Sequence, residues 1–220
     1  RKIDQRIARL RQEWTKIREA RRLQRKSRLR SNISSAVLIG YTNAGKSTLL
    51  NRLTDAEVTA RDQLFSTVDT TTRRLTLPNL QKILLSDTVG FISDLPEPLL
   101  AAFRATLEVV EEATILVHVV DAGSPFLEQQ IHAVNEVLQN LECSQKPILT
   151  VFNKIDRLND DLALRELERR IEPNIRCSAL QDRNLEPLKE ALIHAIEKAR
   201  QNAPQPPSEE EDWDQLPSVD

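Results

Sequence analysis

Gly40-Tyr41-Thr42-Asn43-Ala44-Gly45-Lys46-Ser47 places two glycines, a lysine and a hydroxyl at the spacing G-x-x-x-x-G-K-[ST]. The chemistry such a run can do is phosphate binding. Its glycines let the backbone wrap an anion where a Cβ would intrude, and the helix that Thr48 continues adds N–H groups and a dipole. Lys46 would meet the β- and γ-phosphates, and the Ser47 hydroxyl would ligate Mg²⁺. A second run, "ILLSDTVGF" from Ile83 to Phe91, delivers Asp87 to the end of an apolar segment, followed by Thr88, Val89 and Gly90. Asp87 there suits water-mediated Mg²⁺ binding, and the Gly90 N–H can turn toward a γ-phosphate. In "VFNKID", Asp156 would accept from two guanine N–H groups that adenine lacks, the Lys154 stem would pack on the base, and Asn153, beside Ile155, would brace the loops. The Cys177-Ser178-Ala179-Leu180 stretch can bring the Ala179 N–H to the guanine oxygen.

Between the first two runs lies "LFSTVDTTTRR", Leu64 to Arg74, where a hydroxyl must complete the Mg²⁺ shell only when a γ-phosphate is present. Thr67, Thr70, Thr71 and Thr72 are all candidates, and β-propensity in a strand accounts for at least two of them. Arg73 and Arg74 could neutralise charge if this segment closes. Many nucleotide hydrolases follow the switch glycine with a glutamine that orients the attacking water; here Phe91 follows Gly90, so slow turnover of the isolated domain is expected. His118, His132 and His194 have no metal-ligand spacing and read as structural or surface residues.

These groups need a scaffold that delivers them to one edge. Apolar runs at Ala36 to Ile39, Ile83 to Leu85, Ile115 to Val120, Ile148 to Phe152 and, more weakly, near Ile175 alternate with amphipathic stretches at Pro125 to Leu141, Leu162 to Ile171 and Leu185 to Ala199. Buried strands separated by helices predict a parallel sheet covered on both faces, with ligands beyond the carboxyl ends of its strands. The chain has only four glycines, and Gly40, Gly45 and Gly90 all fall in phosphate-loop candidates.

At 220 residues the chain has room for one substantial α/β domain with appendages. Its net charge of -2 conceals an asymmetry: residues 1–30 hold 13 Lys+Arg and 3 Asp+Glu, a balance of +10, against 18 and 30 in the remainder. Ile3, Ile7, Leu10, Trp14 and Ile17 form a heptad seam in that basic arm, whose arginines suit either a solvated helix surface or contact with a phosphate backbone. The last twenty residues are Pro-rich with six acidic and no basic side chains, the composition of a disordered tail. No apolar run reaches membrane-spanning length, and two cysteines in a domain of this size predict reduced, buried thiols in an intracellular compartment. With Arg1 first and no methionine, the chain reads as a piece whose natural start lies upstream.

"GYTNAGKSTL", "LFSTVDTTTR", "SDTVGFI" with the following "LP", and "FNKID" resemble, in order and spacing, the signatures of the HflX family in the Obg-related branch of translation-associated GTPases. The resemblance implies a P-loop GTPase domain over residues 34–200, with a mostly parallel six-stranded sheet and helices on both faces. A basic heptad helix over 1–30 would be the end of the family's helical linker, and 201–220 an acidic tail. It assigns the switch threonine to Thr67, within a nucleotide-contacting stretch Phe65, Ser66, Thr67, Val68 and Asp69, and makes Lys46, Thr67 and Gly90 the catalytic set. Ser47, Thr67 and, through water, Asp87 would hold Mg²⁺. The implied function is Mg²⁺-dependent GTP hydrolysis to GDP on the large ribosomal subunit and its rRNA, in splitting or rescue of stalled ribosomes; apart from the resemblance, the chain is expected to be a cytoplasmic monomer. Against it stand an RNA-binding or ribosome-assembly module using GTP as a conformational ligand, and a protein-scaffold G domain.

Overall fold

The computed structural model describes residues 33–54, 70–91, 109–140, 143–158 and 162–202. The basic arm, the stretch Phe65 to Asp69 and the tail beyond Asn202 lie outside the described residues.

Six strands form one sheet in the order β2-β3-β1-β4-β5-β6: β1 Ser35–Ile39, β2 Thr71–Thr76, β3 Lys82–Asp87, β4 Ile115–Asp121, β5 Ile148–Asn153 and β6 Asn174–Arg176. All pairings are parallel except β2 with β3, so the sheet is mostly parallel and six-stranded, as the resemblance implied. The exception follows from connection length. Five residues join β2 to β3, enough for a turn closed by Leu77 N–H to the Gln81 carbonyl at 2.9 Å, whereas a parallel pair needs a crossover.

Both faces of the central strands are buried, which is why β1 and β4 are apolar along nearly their whole length. Side chains alternate between faces, so Ala36, Leu38, Val117 and Val151 pack with Leu49 and Leu53 of helix α1 (Lys46–Thr54) and Leu188, Leu192 and Ile196 of helix α4 (Leu185–Asn202). On the other face, Val37, Ile39 and Leu116 meet Val134 and Leu138 of helix α2 (Leu127–Asn140). Further along that face, Val120 and Phe152 meet Ile131 of α2 with Leu164 and Leu167 of helix α3 (Leu162–Arg170).

The helices fall within two or three residues of the amphipathic stretches read from sequence. Helix α4 runs to Asn202, past the expected domain end at 200, because after Pro187 in its first turn, where a missing N–H costs nothing, no glycine or proline follows until Pro204 disfavours helix at the residue before it. Cys143 and Cys177 are buried thiols in no disulfide. No helix among the described residues is long and apolar enough to cross a membrane.

Candidate functional site

Strand β1 ends at Ile39, and Gly40 turns the chain with φ 144. A Cβ on Gly40 would lie 2.2 Å from the Val119 carbonyl oxygen, so the loop's departure past β4 requires glycine. Gly45, at φ 95, meets the same restriction from the other side: its Cβ would sit 2.3 Å from Asn153 Nδ2. The intervening residues Tyr41, Thr42, Asn43 and Ala44 arch over the start of α1, with Asn43 left-handed at φ 60. The Leu49 N–H donates to the Gly45 carbonyl at 2.9 Å, the first turn of the helix that carries Lys46, Ser47 and Thr48.

Lys46 is buried inside this arch, where Nζ donates to the Gly40 carbonyl at 3.1 Å and the Tyr41 carbonyl at 2.9 Å. Burial lowers its pKa to about 8; the Asp87 carboxylate opposes that shift and the Lys154 charge adds to it. Ser47 Oγ donates to Asp87 Oδ2 at 2.5 Å, joining the start of α1 to the end of β3. The other Asp87 oxygen accepts the Thr88 N–H at 2.9 Å, and Thr88 Oγ1 is turned inward onto the Leu38 carbonyl. Val89 is buried, and Gly90 brings the chain against the arch: a Cβ there would come 2.8 Å from Thr42 Cα and 3.1 Å from Lys46 Nζ. The arch and this strand end are also stitched by backbone, Phe91 N–H to the Gly40 carbonyl at 3.1 Å and Thr42 N–H to the Phe91 carbonyl at 3.0 Å. The Phe91 ring is buried with Val37 and Ile39.

The loop after β5 closes the other side. Asn153 Nδ2 donates to the Ala44 carbonyl at 3.0 Å and its Oδ1 accepts the Ala179 N–H at 3.0 Å, so one buried carboxamide braces two loops, as expected of it. Lys154, left-handed at φ 64, reaches back with Nζ to the Asn43 carbonyl at 2.5 Å and Asp121 Oδ2 at 2.8 Å. Ile155 and Asp156 lie in a 3-10 turn (Ile155–Arg157), where Asp156 Oδ1 accepts from Ser178 Oγ. Leu180 is exposed beside them. Cys177 sits beneath, its thiol pushed up to about 12 by burial and then by the Asp156 charge.

The Ala179 N–H, which the sequence offers to a guanine oxygen, donates in this structure to Asn153 Oδ1. Thr71 and Thr72 are strand residues of β2, Thr72 Oγ1 lying 2.8 Å from Ser86 Oγ, which fits their reading as β-formers. Thr70 directly precedes the strand and Thr67 lies outside the described residues. Arg73 and Arg74 are exposed on β2, the edge strand. His118 is buried on β4, held neutral by a pKa lowered to about 4 through burial and then the Lys46 charge, while His132 and His194 are exposed. Sequence reading passed over Asp121, although the signal that found Asp87, an acid at the end of an apolar strand, is equally present in "LVHVVD".

Lys46, the loop glycines and Asp87 are thus gathered at the carboxyl ends of β1 and β3, and Asn153 to Asp156 at that of β5. Asn153→Ala should lower stability by about 2 to 5 kcal/mol, since it strands a buried carbonyl and a buried N–H. Urea unfolding with an unchanged m-value would register this as a shifted midpoint.

The family model described as 50S ribosome-binding GTPase matches residues 35–154. GTPase HflX of Magnetococcus marinus is 48% identical over 198 residues, 90% of this chain and 45% of its own length. GTPase HflX of Lacrimispora saccharolytica is 44% identical over 200 residues, 91% of this chain and 46% of its own. The chain thus spans about half the length of the curated relatives it matches. Among solved structures, a GTP-binding protein from Sulfolobus solfataricus in complex with GDP superposes with TM-score 0.62 at 29% identity, covering 82% of this chain and 58% of that one. Era in complex with MgGDPNP and a 16S rRNA fragment, 22% identical with TM-score 0.64 over 81% of this chain and 60% of its own, shares the fold. The chain belongs to the family of P-loop GTPases described as 50S ribosome-binding, and its α/β domain is a GTPase domain of the HflX type.

Proposed function

We propose that this domain is a Mg²⁺-dependent switch that hydrolyses GTP slowly alone and faster on the large ribosomal subunit, acting in the cytoplasm to split or rescue stalled ribosomes. The observation that carries the nucleotide reading is Lys46. A buried ammonium whose acceptors are two backbone carbonyls has the environment that an entering phosphate would complete. The GDP held by the Sulfolobus relative supports the choice of nucleotide.

In this reading the β- and γ-phosphates enter the arch, Lys46 turns from the Gly40 and Tyr41 carbonyls toward their oxygens, and the N–H groups of residues 43–48 line the anion. The oxygen-only pair of Ser47 Oγ and Asp87, already in contact, suits a hard cation, with Thr67 completing the set in the triphosphate state. Mg²⁺ bound there would supply neutralisation of charge developing on the transferred phosphoryl group. Asp156 reads the base edge with the oxygen that Ser178 leaves available, and Lys154 presents its stem to the base face. The Leu180 N–H, which makes no hydrogen bond among the described residues, stands beside the Asn153-bound Ala179 N–H as a donor to the base oxygen. Phe91 is turned into the core and offers no polar group to the attacking water, so a partner must complete the catalytic arrangement.

GTP turnover measured with and without purified large ribosomal subunits tests this directly. Stimulation by an order of magnitude or more is expected, falling with salt at a log-log slope of about -0.7 to -0.9 per phosphate contacted by the basic arm. No stimulation, from this chain or from a full-length relative, would defeat the ribosomal reading. Asp156→Asn should weaken GTP and favour xanthosine triphosphate, whose 2-oxo group accepts from an amide; equal affinity of the parent chain for ATP and GTP in calorimetry would remove Asp156 from this role.

Lys46 adds a pH signature. With its pKa lowered to about 8 from the ordinary 10.5, Lys46 is mainly neutral at pH 8.5 to 9 and charged at pH 6.5. Phosphates restore its charge, so GDP binding at the higher pH should take up a fraction of a proton. Calorimetry in two buffers of different ionisation enthalpy would show it, and Lys46→Arg should abolish it because arginine stays charged.

A further inference from the structure

Asp121 lies outside every motif used above, yet both of its carboxylate oxygens are engaged at the mouth of the site. Oδ2 accepts from Lys154 Nζ at 2.8 Å, and Oδ1 accepts the Gly123 N–H at 3.0 Å. Arg157 Nη1 stands 4.0 Å from Oδ2. The Asp121 and Lys154 side chains are 18% and 13% exposed, so the pair is largely withdrawn from water. The same Lys154 ammonium donates to the carbonyl of Asn43, at the crest of the phosphate arch.

We propose that Asp121 is a positioning residue for nucleotide binding, fixing Lys154 so that the base side and the phosphate side of the site are locked to each other. The proposal rests on the nucleotide reading above and deepens it. Lys154 leaves β5 in a left-handed conformation, and its stem passes by Gly45, 3.7 Å from where a Cβ would stand. A four-carbon stem has many rotamers, and a single backbone carbonyl would hold a partly buried ammonium weakly. Asp121 supplies the second acceptor and the opposite charge. It is itself held: β4 and β5 pair in register with Asp121 opposite Asn153, and the Ala122 N–H donates to the Asn153 carbonyl at 2.8 Å. The result is a chain of bonds from β4 through Asp121 and Lys154 to Asn43. Asn153 makes a second, separate bridge from β5 to the arch at Ala44. Removing Asp121 frees Lys154 to swing to water, loses the clamp on Asn43, and leaves an uncompensated cation among Lys46 and Arg157. The clamp acts on the base side and on the arch that both nucleotides would share, so GTP and GDP should suffer alike.

The experiment is a double-mutant cycle read by GDP and GTP affinity in the whole chain. Asp121→Ala should weaken both nucleotides about tenfold or more, as loss of a charged hydrogen-bond partner does. In a Lys154→Ala background the same change should cost less than about twofold. Asp121→Asn, which keeps one acceptor oxygen but not the charge, should recover part of the affinity when Lys154 is present and none in the Lys154→Ala background, a dependence that loss of general stability would not produce. An undiminished Asp121→Ala effect without Lys154, or no effect in its presence, overturns the proposal. A parent chain that binds no GDP would instead defeat the nucleotide reading. Urea unfolding of the same four proteins would then decide the Asp121–Lys154 clamp by itself, coupling supporting it and strict additivity refuting it.

Discussion

A buried ammonium is the constraint around which the rest is arranged. Lys46 sits where water is largely excluded, and a cation in such a place must be surrounded by oxygen. The fold meets this with backbone: the carbonyls of Gly40 and Tyr41 point inward, which requires the arch to curl tightly enough that no Cβ fits at its two glycines. Carbonyl dipoles offset only part of the desolvation, as the lowered pKa of Lys46 records. Asp87, whose charge favours the protonated lysine, is kept at the strand end by Ser47 and by the N–H of Thr88. The site is therefore assembled around a positive charge that the protein itself balances incompletely.

That requirement explains which parts were legible from residue types alone. Gly40, Gly45, Lys46 and Ser47 were readable because the backbone path and the charge admit almost no other residues at those positions. Asp87 and the Asn153 to Asp156 run were readable because an apolar strand that ends in a polar side chain advertises the sheet edge at which ligands bind. Asn153 was expected to brace loops and does, with both ends of its carboxamide. The alternation of strands and helices was legible for the same reason that it is stable, since each central strand must be apolar on both faces.

What was not legible is instructive in each case. The partner of the Ala179 N–H depends on the depth of a turn, a matter of a few ångströms that no residue type encodes. Asp121 had the right position on its strand but no spacing motif around it, and its role depends on a lysine 33 residues away in sequence. The direction of β2 follows from the five residues joining it to β3, yet the turn holds Leu80 in a left-handed conformation at φ 63 with 82% of its surface exposed, where Gly or Asn would be expected. Nothing in the structure explains that leucine.

The described domain begins and ends at one corner. Arg200 Nε, near the end of α4, donates to Ser34 Oγ at 3.1 Å, just before β1. Strand β1 then runs five residues, about 17 Å at roughly 3.3 Å per residue, to reach the phosphate arch. Segments attached at either end are thus tethered to the pole remote from the loops. Whatever rearranges at the loop pole would be felt there only through the rigid thickness of the sheet, whereas a body resting on the loops would register it by touch. The geometry makes the domain a stylus rather than a lever: its informative end is the free one, and its attachments are the handle.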